Sequence, residues 1–199
     1  MSILEYLEKH LPSQKAQLIL EYIEGYKCIL KITKPRKTKR GDFRQKGSKL
    51  SISVNHDTNS YRFLFTLVHE IAHLKTFVDY RNKVKPHGPE WKSNFEQLFY
   101  YFGMEEEFGR SSDLLNVVKN ELINPKACSG VSLNVEKAFA EFDENPIIHL
   151  EDIPEGDDFI FRNTRYQKLE TRRSRVLCLN RTNQKKYTIN KAASVEPCL

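Results

Sequence analysis

The sequence predicts an α+β protein in two parts, and three observations carry that prediction. Up to about residue 142, stretches with apolar residues at helical spacing surround two short runs with strand alternation. From Ile147 onward the pattern becomes short strand-like runs separated by turn residues. Between the two parts, Pro125 and Pro146 each close a helical stretch. The expected organisation is therefore a domain of helices with a small sheet over 1–146, followed by a small all-β module over 147–199.

Taken in order, Ser2 and Glu5 have the spacing of a capping box, and Ile3, Leu4 and Leu7 supply one apolar face. Pro12 and Ser13 restart the helix. Leu18, Ile19, Leu20, Tyr22 and Ile23 face inward until Gly25 ends it. Cys28–Thr33 reads as a strand, 34–48 as a basic loop, and Leu50–Val54 as a second strand with clean alternation. Asp57 or Thr58 is placed to cap a helix that runs to about Tyr80. Trp91, Phe95, Leu98, Phe99 and Phe102 recur at helical spacing, as core rather than as a binding box. Helices follow over Ser112–Ile123 and Asn134–Phe142. Strands are expected over Ile147–Leu150, Phe159–Phe161, Tyr166–Leu169, Arg175–Leu179 and Lys186–Ile189. Turns at 154–157 and 181–184 separate the later runs, which predicts a small barrel or curled sheet.

Composition narrows the functional classes. No apolar run approaches membrane-spanning length, so no membrane role is expected. The N-terminus carries Glu5 where a secretory signal would be basic, and Cys28, Cys128, Cys178 and Cys198 form no Cys-x-x-Cys pair. Both point to the cytoplasm, with the thiols as small buried residues, and argue against a zinc ribbon. The formal charge of +6 is unevenly spread. Residues 31–49 hold one acid, Asp42, among nine cations, and 162–191 hold only Glu170 among ten, whereas 104–158 is acidic. Clusters of this density suit phosphate contact, although a charge run is also the ordinary composition of a solvated face. The candidates for contact are Lys34, Arg36, Lys37, Lys39, Arg40, Arg44, Arg172, Arg173 and Arg175.

The chemistry concentrates in His69-Glu70-Ile71-Ala72-His73. Histidines at i and i+4 lie one turn apart on one helix face, where two imidazoles can hold the same zinc ion. Glu70, next to the first ligand, suits a general base acting on water. A third protein ligand would leave one coordination position open, as hydrolysis requires. His87 is the expected third ligand because Pro86 and Gly88-Pro89 flank it with a rigid turn. Asp79 would project from the wrong face of a continuing helix, and Glu90 and Glu96 are the remaining candidates. This pattern makes the first domain a zincin-like metallopeptidase. Tyr61, His56, Tyr80 and Arg81 are candidate transition-state donors by proximity in sequence alone, while His10 and His149 lie far from the motif.

The order strand, Gly-containing loop, strand near Asn55, His-Glu-x-x-His helix, then His87-Gly-Pro-Glu-Trp91 opening another helix resembles the SprT-like zinc metallopeptidase domain. That group includes the Spartan proteases, which cut proteins crosslinked to DNA. The resemblance covers roughly residues 1–104 and implies His69, His73 and His87 as Zn2+ ligands with Glu70 as base. The chain departs from bacterial relatives in lacking their four-cysteine zinc ribbon, and its basic β-module would stand in for that part. The expected partners are a protein substrate held on DNA and DNA bound without sequence preference, in the cytoplasm or at the nucleoid. The competing readings are a general cytoplasmic zinc protease and a non-enzymatic nucleic-acid-binding protein with a vestigial zinc site.

Overall fold

The computed structural model describes residues 1–36, 39–56, 59–123, 133–143 and 148–198. The chain divides into two compact units, Met1–Phe142 and Asp143–Leu199.

The first unit opens with α1 (Ile3–Leu7), whose capping box forms in both directions: the Glu5 N–H donates to Ser2 Oγ and the Ser2 N–H to the Glu5 carboxylate. Next comes α2 (Ser13–Gly25), which buries Ala16, Ile19 and Ile23 along one stripe. Strands β1 (Cys28–Thr33), β2 (Gly41–Lys46) and β3 (Lys49–Asn55) form a sheet in the order β1-β3-β2. β1 runs parallel to β3 and β2 antiparallel. β2 corrects the expectation of a loop over 34–48. Its only large apolar residue is Phe43, so its alternation is faint. The turn at Gly47, with φ of 59°, nevertheless pairs Lys46 with Lys49.

The central element is α3 (Ser60–Tyr80). Its cap is Asn59, whose Oδ1 accepts from the Arg62 N–H at 2.9 Å; Asp57 and Thr58, the expected caps, lie outside the described residues. Phe63, Leu64, Phe65, Leu67, Val68, Ile71, Ala72 and Leu74 are all buried, so the helix is enclosed on most sides. It ends where Arg81 takes a φ of 56° and η1 (Arg81–Lys83) begins.

The unit is completed by α4 (Pro89–Tyr101), α5 (Met104–Phe108), α6 (Ser112–Ile123) and α7 (Leu133–Ala140). α4 buries Trp91, Phe95, Leu98 and Phe99 with Phe102 beyond its end, the expected stripe, and Phe95 meets Phe65 of α3 edge-on at 5.3 Å. α5 has no counterpart among the helices the sequence predicts. α7 docks through Phe139, fully buried against Phe65 and Phe108, and its Phe139 carbonyl accepts from Asn59 Nδ2 at 2.7 Å. Pro125 and Pro146, the expected stops, lie outside the described residues.

The second unit is a six-stranded sheet in the order β4-β9-β5-β6-β7-β8. Its strands are β4 (Ile148–His149), β5 (Asp158–Phe161), β6 (Thr164–Thr171), β7 (Arg175–Asn180), β8 (Lys186–Asn190) and β9 (Ser194–Pro197), with η2 (Leu150–Asp152) after β4. Among the described residues β4 and β8 each pair on one side only, so the sheet is open rather than a closed barrel. β9, absent from the sequence reading, inserts between β4 and β5. Leu150, Ile153, Phe159, Val176, Cys178, Ile189 and Val195 make the core. Lys168 is buried there, its Nζ donating to the carbonyls of Leu150 and Glu151 at 3.2 and 2.9 Å.

Cys28 and Cys178 are buried free thiols, pushed up to about 11 by burial, and so inert at neutral pH. Cys198 is also free, and Cys128 lies outside the described residues. Among the described residues no helix is long and apolar enough to cross a membrane.

Candidate metal centre

α3 presents His69 and His73 one turn apart, and the chain returns to them through a tight turn. The Gly88 N–H donates to the Lys85 carbonyl at 2.9 Å, with Pro86 and His87 at the two central positions. Pro86 presets its own φ, and His87 takes the following left-handed position at φ 57°. Such a conformation costs a non-glycine residue about 1 kcal/mol or more, and it persists here because Pro86 and the start of α4 dictate it. Gly88 caps α4 and Pro89 opens it.

The three imidazoles converge. Nε2 of His69 lies 3.2 Å from Nε2 of His73 and 3.1 Å from that of His87, and the His73–His87 separation is 3.1 Å. Burial holds all three below the usual histidine range, His69 furthest and His73 at about 4, with neighbouring rings adding to the effect on His69 and His73. All three are thus neutral at pH 7. Three neutral rings cannot satisfy one another in such a triangle, because two of any three atoms must share the role of donor or of acceptor. A cation facing three lone pairs removes the conflict. A tetrahedral zinc ion with Zn–N distances of about 2.0–2.1 Å keeps its nitrogens about 3.3 Å apart, so the triangle fits one face of such a site. Among the described residues this is the one group of histidine, cysteine or carboxylate side chains able to hold a metal. Trp91, fully buried, forms the floor, with its ring 4.7, 5.2 and 4.5 Å from the rings of His69, His73 and His87.

Glu70 lies beside the triad, buried against β2. Burial raises its carboxyl to about 8 in the metal-free site, against the pull of a hydrogen bond from the Phe43 backbone N–H and the charges of Arg36 and Lys39. Gly41 approaches it so closely that a Cβ there would stand 2.5 Å from Glu70 Oε1. β2, missed from the sequence, is therefore one wall of the site. The Gly47-Ser48 turn between Lys46 and Lys49 was the sequence signal for it.

The other ligand candidates lie elsewhere. Asp79 accepts from Lys75 Nζ at 2.6 Å and from Asn94 Nδ2 at 3.4 Å, and Glu96 is exposed. Glu90 sits at the start of α4, outside the metal-binding group. Tyr61 rests on Phe108 and Phe142, Arg81 on Phe77, and His56 and Tyr80 are exposed.

The basic candidates fare unevenly. Arg36 is a clamp within its own unit, donating to Asn55 Oδ1, Ser53 Oγ and the carbonyls of Arg40 and Ser53 at 2.8–3.3 Å. Arg40 pairs with Glu136, while Lys39 and Arg44 flank Asp42. Lys34 is exposed, and Lys37 lies outside the described residues. In the second unit Arg172 pairs with Glu170 at 3.2 Å, Arg175 donates to the Thr188 carbonyl at 3.2 Å, and Arg173 is exposed.

Comparison with known proteins gives one positive result: residues 16–108 match the SprT-like family. No curated protein and no solved structure matches the chain.

Proposed function

We propose that this chain, whose residues 16–108 match the SprT-like family, is a zinc-dependent metallopeptidase with a zincin-like active site. The observation that carries the proposal is the triangle of three neutral Nε2 atoms with a buried carboxylate one residue from the first of them. His69, His73 and His87 hold the ion, and imidazole sets of this kind suit zinc. When bound, zinc polarises the scissile carbonyl and lowers the pKa of its water towards neutrality. Glu70 takes the proton from the attacking water and delivers it to the departing amine nitrogen. Burial and the charge of Asp42 raise Glu70 to about 8 without metal, and the charge of a bound ion, added to the pull of Arg36 and Lys39, would favour the ionised carboxylate that this step needs.

β2 supports a peptide as the substrate. It is an edge strand, and the Phe43 N–H that reaches Glu70 points away from β3, along the edge left unpaired within the sheet. An extended chain laid on that edge would bring its carbonyls past the triad by backbone pairing alone. Trp91 excludes water from beneath.

The further proposal is that the protein substrate is held on DNA. Its support is charge: residues 162–191 carry ten cations against Glu170, and Arg173 is exposed. The internal partners of Arg36 and Arg40 favour a smaller share for the loop before β2, and hence, as a second reading, a general protease indifferent to DNA. The test is cleavage of a protein bound to single-stranded DNA, with and without the DNA and with zinc quantified. DNA-dependent cleavage by zinc-loaded protein supports the full proposal, and cleavage indifferent to DNA leaves the general protease. Absence of bound zinc overturns both.

A further inference from the structure

α7 lies beyond the SprT-like segment, yet it reaches the wall of the metal centre. Phe139 and its carbonyl fasten the helix to the first turns of α3, as described above. One turn back, Glu136 holds two cations: its carboxylate pairs with Arg40 Nη1, and its other oxygen stands 3.6 Å from Nε of the buried Arg62. Arg40 is the residue immediately before Gly41. Its own carbonyl is fixed from the other side by the Asn55 N–H at 2.8 Å and by Arg36 Nη2 at 3.2 Å. The chain is therefore pinned through both side chain and backbone one residue before it makes its closest approach to Glu70. Two residues further on, the Phe43 backbone lies near enough to favour the ionised form of the same carboxylate.

β2 needs this anchoring. It is an edge strand, supported by β3 on one side only, and its exposed end carries Arg44, Gln45 and Lys46 with no apolar side chain to seat them. Its one large apolar side chain, Phe43, meets Phe77 of α3 at 5.8 Å. An edge strand with so few buried contacts is the kind of element that opens locally at little cost. Every ångström it moves changes the environment and orientation of Glu70, because Gly41 and the Phe43 N–H are what the carboxylate rests on.

We propose that Glu136 is a positioning residue for the hydrolytic carboxylate: through Arg40 it seats the first residues of β2 against Glu70. The helical extension after the SprT-like segment is then part of the active-site scaffold, and whatever moves α7 controls the site. This rests on the hydrolytic reading of Glu70, but the positional half can be tested without it.

The experiment is amide hydrogen exchange over residues 41–46, run beside peptide cleavage and metal content, on wild type, Glu136→Gln, Arg40→Gln and the double variant. Arg40→Gln is the cleaner single change, since Glu136→Gln also alters the pairing of the buried Arg62. Exchange of the Phe43 amide is expected to speed by roughly tenfold in each single variant and no further in the double, as for residues acting as one unit. Protection of α3 and the metal content stay at wild-type values. Cleavage falls with exchange, through kcat more than KM. Unchanged Phe43 exchange in Arg40→Gln overturns the proposal, as does a double variant whose effects simply add. If wild type cleaves nothing, the peptidase reading fails by itself, and the exchange data still decide whether Glu136 seats β2.

Discussion

Gly41 touches Glu70 where a side chain on residue 41 has no room: a Cβ at position 41 would lie 2.5 Å from Glu70 Oε1 and 2.7 Å from both Glu70 Cγ and Thr66 Cγ2. The backbone of Gly41 does not occupy the left-handed region, so the requirement is one of space alone. Gly41→Ala must push either β2 or Glu70 aside. Overpacking of this kind costs about 1–3 kcal/mol, and a displaced catalytic group can lose about 100-fold in rate. Gly41→Ala is therefore expected to keep its metal, melt lower, and cleave at a small fraction of the wild-type rate. Wild-type turnover in that variant would remove β2 from the active site.

Glu70→Gln separates metal binding from chemistry. The amide has the size of the carboxyl and can still accept the Phe43 N–H, but it cannot take a proton from water. Turnover should fall by about 10²–10⁴ with the metal content unchanged. The same variant has a signature in metal-free protein. Glu70 is raised from 4.5 to about 8 on folding, so the native state keeps a proton that the unfolded chain releases. Stability contributed by that protonated carboxyl is present below pH 4.5 and is lost as pH rises through about 8. Urea melts of chelator-treated wild type should weaken across this window relative to Glu70→Gln. Parallel pH curves for the two proteins would show that Glu70 is not buried as a carboxylic acid.

The sequence showed the three histidines of the candidate metal centre and hid the strand beside them. His69, Glu70 and His73 were legible because helical periodicity is dense around them, and His87 because Pro86 and Gly88 announce a turn. β2 was not, since an edge strand facing solvent needs only one apolar residue, Phe43, and its cations read as loop. Asn59 caps α3 where the sequence points equally to Asp57 or Thr58, because Asp, Thr and Asn are near-equivalent in that role and only the chain path selects one. Glu136 carried no local signal: its partners Arg40 and Arg62 are brought to it by tertiary packing. In the second unit the strands were legible by alternation, whereas β9 holds a single buried residue, Val195, and its place between β4 and β5 is a matter of topology.

The turn that carries His87 predicts how metal removal will look. His87→Ala deletes one of three ligands and leaves the other two on a helix that is stable for its own reasons, with eight buried apolar residues. Metal bound to the native state adds RT ln(1 + [L]/Kd), about 2.7 kcal/mol at a hundredfold excess over Kd. Chelation should therefore lower the melting temperature of wild type clearly and that of His87→Ala barely, with the two proteins converging in chelator. A wild-type melting temperature indifferent to chelation would mean that no metal sits in the triad.

His10 supplies an acid sensitivity independent of the metal. Its ring stacks on Phe63 at 4.4 Å, and its Nδ1 lies 3.0 Å from Ser60 Oγ, while its buried Nε2 has no hydrogen-bond partner among the described residues. Protonation would place a second N–H where nothing accepts it. Burial, helped by the charge of Lys9, accordingly holds this imidazole below its usual 6.5. The unfolded chain then binds the proton more readily than the native one. The stability contributed by neutral His10 is fully present above pH 6.5 and is lost as pH falls from there through the lower native value. Carboxylates also titrate on the acid side, so wild type alone cannot isolate the effect. His10→Phe keeps the stacking and removes the titration, and carboxylate contributions cancel in the difference between the two proteins. Between pH 7.5 and 5, wild type should lose more stability than His10→Phe in urea melts. An equal loss in both would place the His10 ring in water rather than between α1 and α3.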